Sequence, residues 1–257
     1  MENKNFKKLN NDNLIIGRNS VNEAIAAGHV IDSILISKGA RNGSINTIIK
    51  KAKELKIPIK ETDNKKLDSL CGTRTHQGIV AITAAHKYAE IDDILDEAQK
   101  KGELPFIIVA DGIEDPHNLG AIIRTAECAG AHGVIIPNRR AVGLTFSVSK
   151  SAAGALEHIK VARVTNIAKT LDDLKRYGLW IYGADMDGET YCSADLKGAI
   201  ALVVGSEGFG ISRLVKEKCD VILSLPICGK INSLNASVAA GILMYEITRQ
   251  RLGLLNK

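Results

Sequence analysis

Three loops of the chain collect the polar side chains whose types suit catalysis or ligand binding, and each loop borders an apolar segment. The first loop, 111–118, precedes a predicted helix that carries Asn118 and Arg124. Asn118 is suited to the N-cap, where its side chain accepts a hydrogen bond from a backbone N–H. Arg124 lies about 140° around this helix from Leu119, so it can point away from the core. Considered alone, the loop needs no explanation beyond a helix cap and a solvent-facing arginine.

The second loop, GSEGFG at 205–210, directly follows an apolar segment and contains three glycines. Glycine has no side chain, so the backbone here can approach a bound ligand closely. The glycine spacing differs from the GxGxxG pattern of dinucleotide-binding loops. Glu207 would repel a phosphate and suits a cation, an amino group or hydroxyls. A nucleotide-binding enzyme that uses this loop as a phosphate cradle is therefore the weaker interpretation, because the loop also lacks a lysine.

The third loop, LPICGKINSLN at 225–235, leads into a long predicted helix. Its proline and glycine shape the turn, and Ser233 and Asn235 can cap the helix that follows. From residue 238 to 247 this helix is small or apolar on nearly every side. Such a helix must be covered all round. We therefore expect it to pack against its own domain and against the partner subunit of a homodimer.

Six apolar segments alternate with helical patterns after residue 104 and predict the elements that carry these loops. Near-continuous apolar strands are typical of a parallel sheet that is covered by helices on both faces. Ligands of such folds bind at loops that leave the carboxyl ends of the strands. We therefore predict an α/β domain over 104–257. The six predicted strands are 105–110, 134–137, 158–164, 179–184, 200–205 and 221–225.

Shorter strands and helices precede this region and predict a separate small α/β domain over 1–85. A charged segment at 86–103, with one helical run at 91–99, is predicted as the linker. Residues 1–87 contain 15 Lys and Arg against 8 Asp and Glu, a net charge of +7, whereas the remainder carries −2. Clustered positive charge is typical of proteins that bind a phosphate backbone. We expect a nucleic-acid partner for the N-terminal domain.

The cysteines and the apolar segments exclude several classes of protein. Five cysteines are dispersed without a CxxC pair, so we expect neither a disulfide framework nor a zinc site. No segment approaches the roughly 20 apolar residues of a membrane span, and the first 13 residues lack the apolar stretch of a signal peptide. We expect a cytoplasmic protein that binds neither a membrane nor a metal.

Taken together, the three loops and their helices match a known set of motifs. The segments NLGAIIRTAECAG, GSEGFG and LPICGKINSLNASVAAGI resemble, in order and spacing, motifs one, two and three of the SpoU (TrmH) family of RNA ribose methyltransferases, which belongs to the SPOUT superfamily. The N-terminal segments GRNSVNEAI and THQGIVA are similar to the L30e-like RNA-binding domain that precedes the catalytic domain in one branch of that family.

The resemblance implies S-adenosylmethionine (SAM) as cofactor and a ribose 2′-hydroxyl as the methyl acceptor. Family members carry a deep trefoil knot near the C-terminus and work as homodimers. We therefore expect a knot here, although general topology rules disfavour it. The cofactor would be held in the knot. The cofactor-binding residues implied by the motifs are Gly205, Leu225, Leu234, Ile227 and Gly229.

The resemblance also implies roles for the polar residues. Arg124 matches the arginine that activates the ribose hydroxyl. A guanidinium has a pKa above about 12, so stabilising the developing alkoxide or holding a neighbouring phosphate suits it better than taking a proton. Asn118 is expected to orient Arg124 or the ribose, and Glu207 to position the arginine from its other side. Ser233 and Asn235 are expected to shape the site and bind the substrate.

Within the family, the likeness points to the bacterial enzymes that methylate a guanosine of 23S rRNA, which is the predicted substrate. A tRNA ribose, or a ribosomal site whose methylation confers antibiotic resistance, remains open because the motifs are shared. A non-catalytic RNA-binding or ribosome-assembly factor is disfavoured because the site residues are all present. In the N-terminal domain, the candidates for RNA contact are Arg18, Arg41 and Arg74.

Overall fold

The structure, a computed structural model, describes residues 13–40, 43–231 and 233–254. The chain divides into two compact units. Residues 1–87 with 144–146 form the first unit, and residues 88–143 with 147–257 form the second.

The first unit is a small α/β domain with a four-stranded sheet in the order β1-β4-β2-β3. Strand β4 is antiparallel to β1 and β2, and β2 is parallel to β3. Apolar side chains of the sheet and of helices α1 and α2 form its core. The elements are β1 (Leu14–Ile16), α1 (Arg18–Ala26), β2 (Ile31–Ser37), α2 (Ser44–Glu54), β3 (Ile59–Thr62), α3 (Asn64–Cys71) and β4 (Ile79–Thr83).

The second unit contains a six-stranded sheet in the order β10-β8-β9-β5-β6-β7, and every pairing in it is parallel. The strands are β5 (Phe106–Asp111), β6 (Gly133–Pro137), β7 (Lys160–Val164), β8 (Trp180–Thr190), β9 (Ile200–Gly205) and β10 (Val221–Ser224). All six predicted strands are present, and the predicted parallel α/β fold is confirmed. The apolar runs of β5, β6 and β9 are buried almost throughout, as expected for strands covered on both faces.

One helix precedes the first strand of this sheet, and helices follow β5, β6, β7, β9 and β10. They are α4 (Ile91–Lys101), α5 (Pro116–Cys128), α6 (Phe146–Ala152), α7 (Ile167–Arg176), α8 (Arg213–Lys216) and α9 (Ala236–Arg251). The segment 86–103 was predicted as a linker, but α4 buries Ile94 and Ala98 in the second unit. A Cβ atom on Gly133 would lie 2.5 Å from the side chain of Ile94, so this isoleucine packs directly on the backbone of β6. The predicted helical run at 91–99 is present as part of α4, but the sequence did not show that this helix packs into the second unit.

The first turn of α5 also differs from the sequence expectation. The N-cap is Asp115, whose Oδ1 accepts a hydrogen bond from His117 N–H at 2.6 Å, and Pro116 occupies the first helical position. Proline suits that position because its φ angle is already helical and its missing N–H would have no partner there. The prediction of Asn118 as N-cap was therefore wrong. Its side chain is instead available for contacts across the sheet edge.

The imidazole of His132, just before β6, is buried inside the second unit. Its Nδ1 accepts a hydrogen bond from Phe106 N–H at 3.0 Å, and its Nε2 lies 3.1 Å from Glu103 Oε2. An Nδ1 that accepts must be unprotonated, so the ring is neutral with its proton on Nε2. Burial lowers the pKa of His132 and outweighs the carboxylate of Glu103, which raises it.

This lowered pKa makes stability depend on pH. The unfolded chain binds a proton at His132 near pH 6.5, above the pKa of the folded protein, so stability is lost as the pH falls below about 6.5. We expect His132→Asn, which keeps an acceptor for Phe106 N–H, to make the free energy of unfolding depend less on pH between pH 7 and pH 5. The difference in slope is at most about 1.4 kcal/mol per pH unit. Denaturant unfolding measures it, with the exposed His158→Asn as control. Parallel pH profiles for wild type and His132→Asn would contradict this.

Candidate active site

Two of the three polar loops leave neighbouring strands at the same edge of the sheet. In the register of β5 and β9, Asp111 lies opposite Gly205, so the 111–118 and 205–210 loops start side by side. Both are at the carboxyl ends of parallel strands, where α/β folds bind their ligands. The third loop brings the start of α9 to this edge, as the following contacts show.

The side chains of Asn118, Glu207 and Asn235 form one hydrogen-bonded cluster. Glu207 Oε1 accepts from Asn118 Nδ2 at 2.6 Å and from Asn235 Nδ2 at 2.5 Å. Asn235 Nδ2 also donates to Asn118 Oδ1 at 3.0 Å. Three residues separated by 28 to 117 positions thus meet at one carboxylate. The sequence analysis selected all three, and the structure brings them together.

Asn235 is in addition the N-cap of α9. Its Oδ1 accepts from Ser237 N–H at 2.9 Å, from Ser237 Oγ at 2.6 Å and from Val238 N–H at 3.3 Å. The predicted capping role of Asn235 is confirmed. One amide therefore uses its oxygen to start the helix and its nitrogen to hold Glu207.

The 205–210 loop doubles back tightly on itself. Ser206 N–H donates to Gly210 O at 3.1 Å, and Gly210 N–H donates to Ser206 O at 2.9 Å. Gly208 and Gly210 have φ angles of +87° and +63°, which side chains rarely tolerate. A Cβ on Gly205 would lie 2.0 Å from the carbonyl carbon of Gly210. The loop can close only because residue 205 is glycine.

A cavity of about 670 Å³ lies against this loop and against the loop before α9. Its lining includes four of the five predicted cofactor-binding residues, namely Gly205, Leu225, Ile227 and Leu234. The fifth, Gly229, is exposed in the same loop and does not line the cavity. The polar residues Ser233, Glu207 and Asn235 also line it, and Leu223 and Leu243 add apolar surface.

Asp185 and Met186 line this cavity too, and the sequence analysis missed them. The strand was predicted to end at residue 184, whereas β8 continues to Thr190. Burial raises the pKa of Asp185. Hydrogen bonds from Lys216 Nζ (2.9 Å) and from Met186 N–H, together with the charge of Lys216, lower this pKa by a larger amount, so the net shift is downward. Asp185 is therefore ionised at neutral pH. An acidic residue directly after an apolar strand was the signal that could have identified it.

A second cavity, of about 820 Å³, also adjoins the 205–210 loop. Residues Ser206, Glu207, Phe209 and Gly210 line both cavities. Asn118 and the exposed Arg139 and Arg140, which follow β6, line the second. The sequence analysis gave these two arginines no role.

Arg124 is exposed on α5, about two turns beyond Asn118. Glu207 accepts from the two asparagines in the cluster, and the expected contact of Glu207 or Asn118 with Arg124 stays a prediction.

Helix α9 buries Leu243, Met244 and Ile247. Its Val238, Ile242 and Tyr245 remain 50%, 39% and 53% exposed, so the helix is apolar on two sides. The expected partner subunit likewise stays a prediction.

The candidates for RNA contact belong to the first unit. Arg18 is held by Gln77, whose backbone oxygen accepts from Arg18 Nε at 3.1 Å and whose Oε1 accepts from Arg18 N–H at 3.2 Å. Arg74 is exposed. Arg41 lies outside the described residues.

Over the residues that the structure describes, no three His, Cys, Asp or Glu side chains are grouped as metal ligands would be. The cysteines are free. Within the same residues, no helix is long and apolar enough to cross a membrane.

The fold and the site define an α/β enzyme with a ligand cavity at the carboxyl edge of a parallel sheet. Comparison with known proteins narrows this class. The SpoU rRNA Methylase family model matches residues 105–245, and the model for RNA 2′-O ribose methyltransferase substrate binding matches residues 14–89. The chain belongs to the SpoU (TrmH) family of RNA methyltransferases. The resemblance stated from the three motifs is thereby confirmed.

Relatives cover nearly the whole chain. A putative TrmH family tRNA/rRNA methyltransferase, YacO, of Bacillus subtilis (strain 168) is 49% identical over 238 residues, which are 92% of this chain and 95% of that protein. A putative TrmH family tRNA/rRNA methyltransferase of Staphylococcus haemolyticus (strain JCSC1435) is 47% identical over 93% of this chain and 96% of its own length.

Solved structures share the fold. The SpoU methyltransferase AviRb from Streptomyces viridochromogenes, in complex with AdoMet, has a TM-score of 0.58 and 25% identity, with 93% of this chain and 90% of that chain covered. An RNA 2′-O ribose methyltransferase has a TM-score of 0.53 and 26% identity, over 93% and 88% of the two chains.

The close approach at Gly205 is testable. We expect Gly205→Ala to lower the free energy of unfolding by about 1–3 kcal/mol, the usual cost of overpacking, because the loop must open to admit the methyl group. Gly198→Ala is the matched control, since a Cβ there meets nothing within 4 Å. Denaturant unfolding compares the two. Equal stability of both variants would show that the loop is not closed as described.

The two functions of Asn235 can be separated by substitution. Asn235→Ala removes both the cap and the donor to Glu207, and the loss of the cap alone should cost about 1 kcal/mol. Asn235→Asp keeps the cap but places a second carboxylate beside Glu207, which raises the pKa of one of them. This destabilisation is therefore present at pH 8 and shrinks as the pH falls toward 5. Thermal unfolding at both pH values measures it. A pH-independent difference between Asn235→Asp and wild type would contradict the contact with Glu207.

Proposed function

We propose that the protein transfers the methyl group of SAM to a ribose 2′-hydroxyl of RNA, and that the acceptor is a guanosine of 23S rRNA. The observation that carries the proposal is the Asn118–Glu207–Asn235 cluster at the wall of a cavity that fits the cofactor, in a chain of the SpoU family. The proposed location is the cytoplasm, where such RNA is made and where free cysteines persist.

The 670 Å³ cavity fits SAM in size and chemistry. Ligand cavities commonly measure about 300–1,000 Å³. Gly205 lets the backbone approach the ligand, while Leu225, Ile227 and Leu234 supply apolar surface. When bound, SAM supplies an electrophilic methyl group on a cationic sulfonium. An apolar lining does not disfavour the reaction, because that positive charge disappears as the methyl group moves. The complex of AviRb with AdoMet supports the same assignment.

The ribose hydroxyl is a poor nucleophile. As its oxygen bonds to the methyl carbon, the bond from that carbon to the sulfur of SAM breaks, neutral S-adenosylhomocysteine leaves, and the hydroxyl proton passes to solvent. Arg124 stabilises the negative charge that develops on this oxygen, or holds the adjacent phosphate with two hydrogen bonds. Glu207 is held in one orientation by the amides of Asn118 and Asn235. In that orientation the cluster positions the ribose or Arg124, and Ser233 shapes the wall of the cavity.

The first unit is proposed to bind the RNA. Its net charge of +7 over residues 1–87 and the match to a substrate-binding family model support this role. Arg18 and Arg74 are the proposed contacts, together with Arg41. The exposed apolar face of α9, formed by Val238, Ile242 and Tyr245, supports a homodimer through the second unit. The trefoil knot is proposed from the family resemblance.

The descriptions of two relatives leave open whether the substrate is rRNA or tRNA. The relatives from Bacillus and Staphylococcus are both described as tRNA/rRNA methyltransferases, so tRNA is the second candidate. Labelled SAM should be incubated with separate pools of unmodified 23S rRNA and tRNA. Label at one guanosine of 23S rRNA supports the proposal. Label in tRNA alone keeps the reaction but overturns the substrate, and no label in either pool or in ribosomal precursors overturns the activity.

Arg124 offers the sharpest test of the mechanism. We expect Arg124→Ala to lower kcat on the order of 100-fold or more, because a positioned group that meets developing charge is lost. Arg124→Lys keeps the charge without the planar fork and should retain part of the rate. SAM binding, measured by calorimetry, should stay unchanged in both. Arg176→Ala, which removes an exposed arginine of α7, is the control. Near-wild-type turnover of Arg124→Ala would overturn the assignment.

A further inference from the structure

The cavity of about 820 Å³ has no assignment in the proposed cofactor site. Its lining follows the carboxyl ends of four neighbouring strands, in the order β9, β5, β6 and β7. Glu207 follows β9, Asn118 lies after β5, and Arg139 and Arg140 follow β6. Three strand spacings of about 4.8 Å make a groove about 14 Å long. The groove therefore begins at the catalytic cluster and leads away from it across the sheet edge.

Phe209 is the first feature that points to a ligand. Its side chain is 92% exposed, in a loop that lines both cavities. The closed turn between Ser206 and Gly210 fixes the backbone on either side, so the ring is presented on a rigid support. An exposed ring face stacks on nucleic-acid bases irrespective of sequence. Only 4% of the residues in this chain are aromatic, so few other side chains could stack on a base.

Arg139 and Arg140 are the second feature. Both are exposed, and Arg140 has a φ angle of +56°, a strained conformation for a residue with a side chain. Strain of this kind is concentrated at functional sites. Two guanidinium groups at one wall suit a phosphate, to which each can donate two hydrogen bonds.

The groove also contains carboxylates, which make one part of it chemically different from the part beside the two arginines. Asp111 Oδ2 accepts from Ser212 N–H at 2.8 Å and Asp115 Oδ1 accepts from His117 N–H at 2.6 Å, while Glu114 is exposed. These groups repel a phosphate and accept hydrogen bonds from the amino groups of a base. A phosphate is therefore confined to the side of the two arginines, and a base to the remainder of the groove.

We propose that this groove binds the unpaired nucleotide next to the methylated ribose, with its base stacked on Phe209 and its phosphate contacted by Arg139 and Arg140. The proposal rests on the proposed function, because it takes RNA as the substrate. It adds a binding site within the second unit to the RNA contacts of the first. A strand held in this way keeps the adjacent ribose at the Asn118–Glu207–Asn235 cluster.

The test uses the full chain and a fluorescein-labelled, mixed-sequence single-stranded RNA decamer, with binding followed by anisotropy at several KCl concentrations. Phe209→Ala should weaken binding about 10-fold and leave the salt dependence unchanged, because a stacked base contributes affinity without counterion release. Phe209→Leu should behave like Phe209→Ala, since it keeps apolar volume but loses the ring face. Arg139→Gln and Arg140→Gln should each reduce the slope of log Kd against log salt, and the double variant should reduce it by about 0.7, the value for one neutralised phosphate.

Two matched controls lie on exposed positions of the same unit, outside both cavities. Tyr177→Ala removes another exposed aromatic ring, and Arg176→Gln removes another exposed arginine. Both should bind the decamer like wild type. Wild-type binding by Phe209→Leu, or an unchanged salt slope in both arginine variants, would overturn the proposal. If wild type binds as described but methylates neither rRNA nor tRNA, the proposed function fails while the groove stands.

Discussion

Glu207 Oε1 is the point at which three distant parts of the chain are joined. It accepts hydrogen bonds from the first turn of α5 and from the residue that caps α9, while its own backbone belongs to the turn after β9. Hydrogen bonds to a charged acceptor are stronger than those between neutral groups, so a carboxylate is well suited to this position. An uncharged residue at 207 would leave two amide donors competing for a weaker acceptor. The geometry of the site depends on this single oxygen.

Other features of the second unit serve the same contact. Proline at position 116 and Asp115 at the N-cap start α5 early enough to turn Asn118 toward the sheet edge. The absence of a side chain at Gly205 permits the turn that carries Glu207. Asn235 connects the cluster to the N-terminus of α9, and both Asn235 and Glu207 line the proposed cofactor cavity. The same turn lines both cavities, so Glu207 adjoins both the proposed site of the methyl donor and the proposed RNA groove.

Much of this architecture could be predicted from the sequence because it follows from local patterns. The six apolar strands, the parallel sheet and the three polar loops were all readable from periodicity and from the position of glycines and amides. The family resemblance added the prediction of a cofactor site, and four of its residues, Gly205, Leu225, Ile227 and Leu234, line one cavity. Capping by Asn235 was also predicted correctly, because the residue directly precedes its helix.

One of the misses has a local cause, and the others involve contacts between segments far apart in the sequence. The prediction of Asn118 as N-cap was wrong because α5 begins earlier, with Asp115 as its N-cap and Pro116 at its first position. The charged segment 86–103 was predicted as a linker, whereas its Ile94 packs against Gly133 of β6, which is far away in the sequence. Arg139 and Arg140 gave no signal, since only the adjacency of β6 to β5 brings their loop beside the cluster.

The central claim is that Asn118, Glu207 and Asn235 act as one unit in methyl transfer. A double-mutant cycle on kcat/KM for RNA, with Asn118→Ala, Asn235→Ser and their combination, tests it most directly, because serine can still cap α9 and adds no charge beside Glu207. Groups that act as a unit give strongly non-additive effects. We predict that the double variant is at most about threefold slower than the slower single variant, with a coupling energy of about 1 kcal/mol or more. Losses that simply multiply in the double variant would contradict the claim.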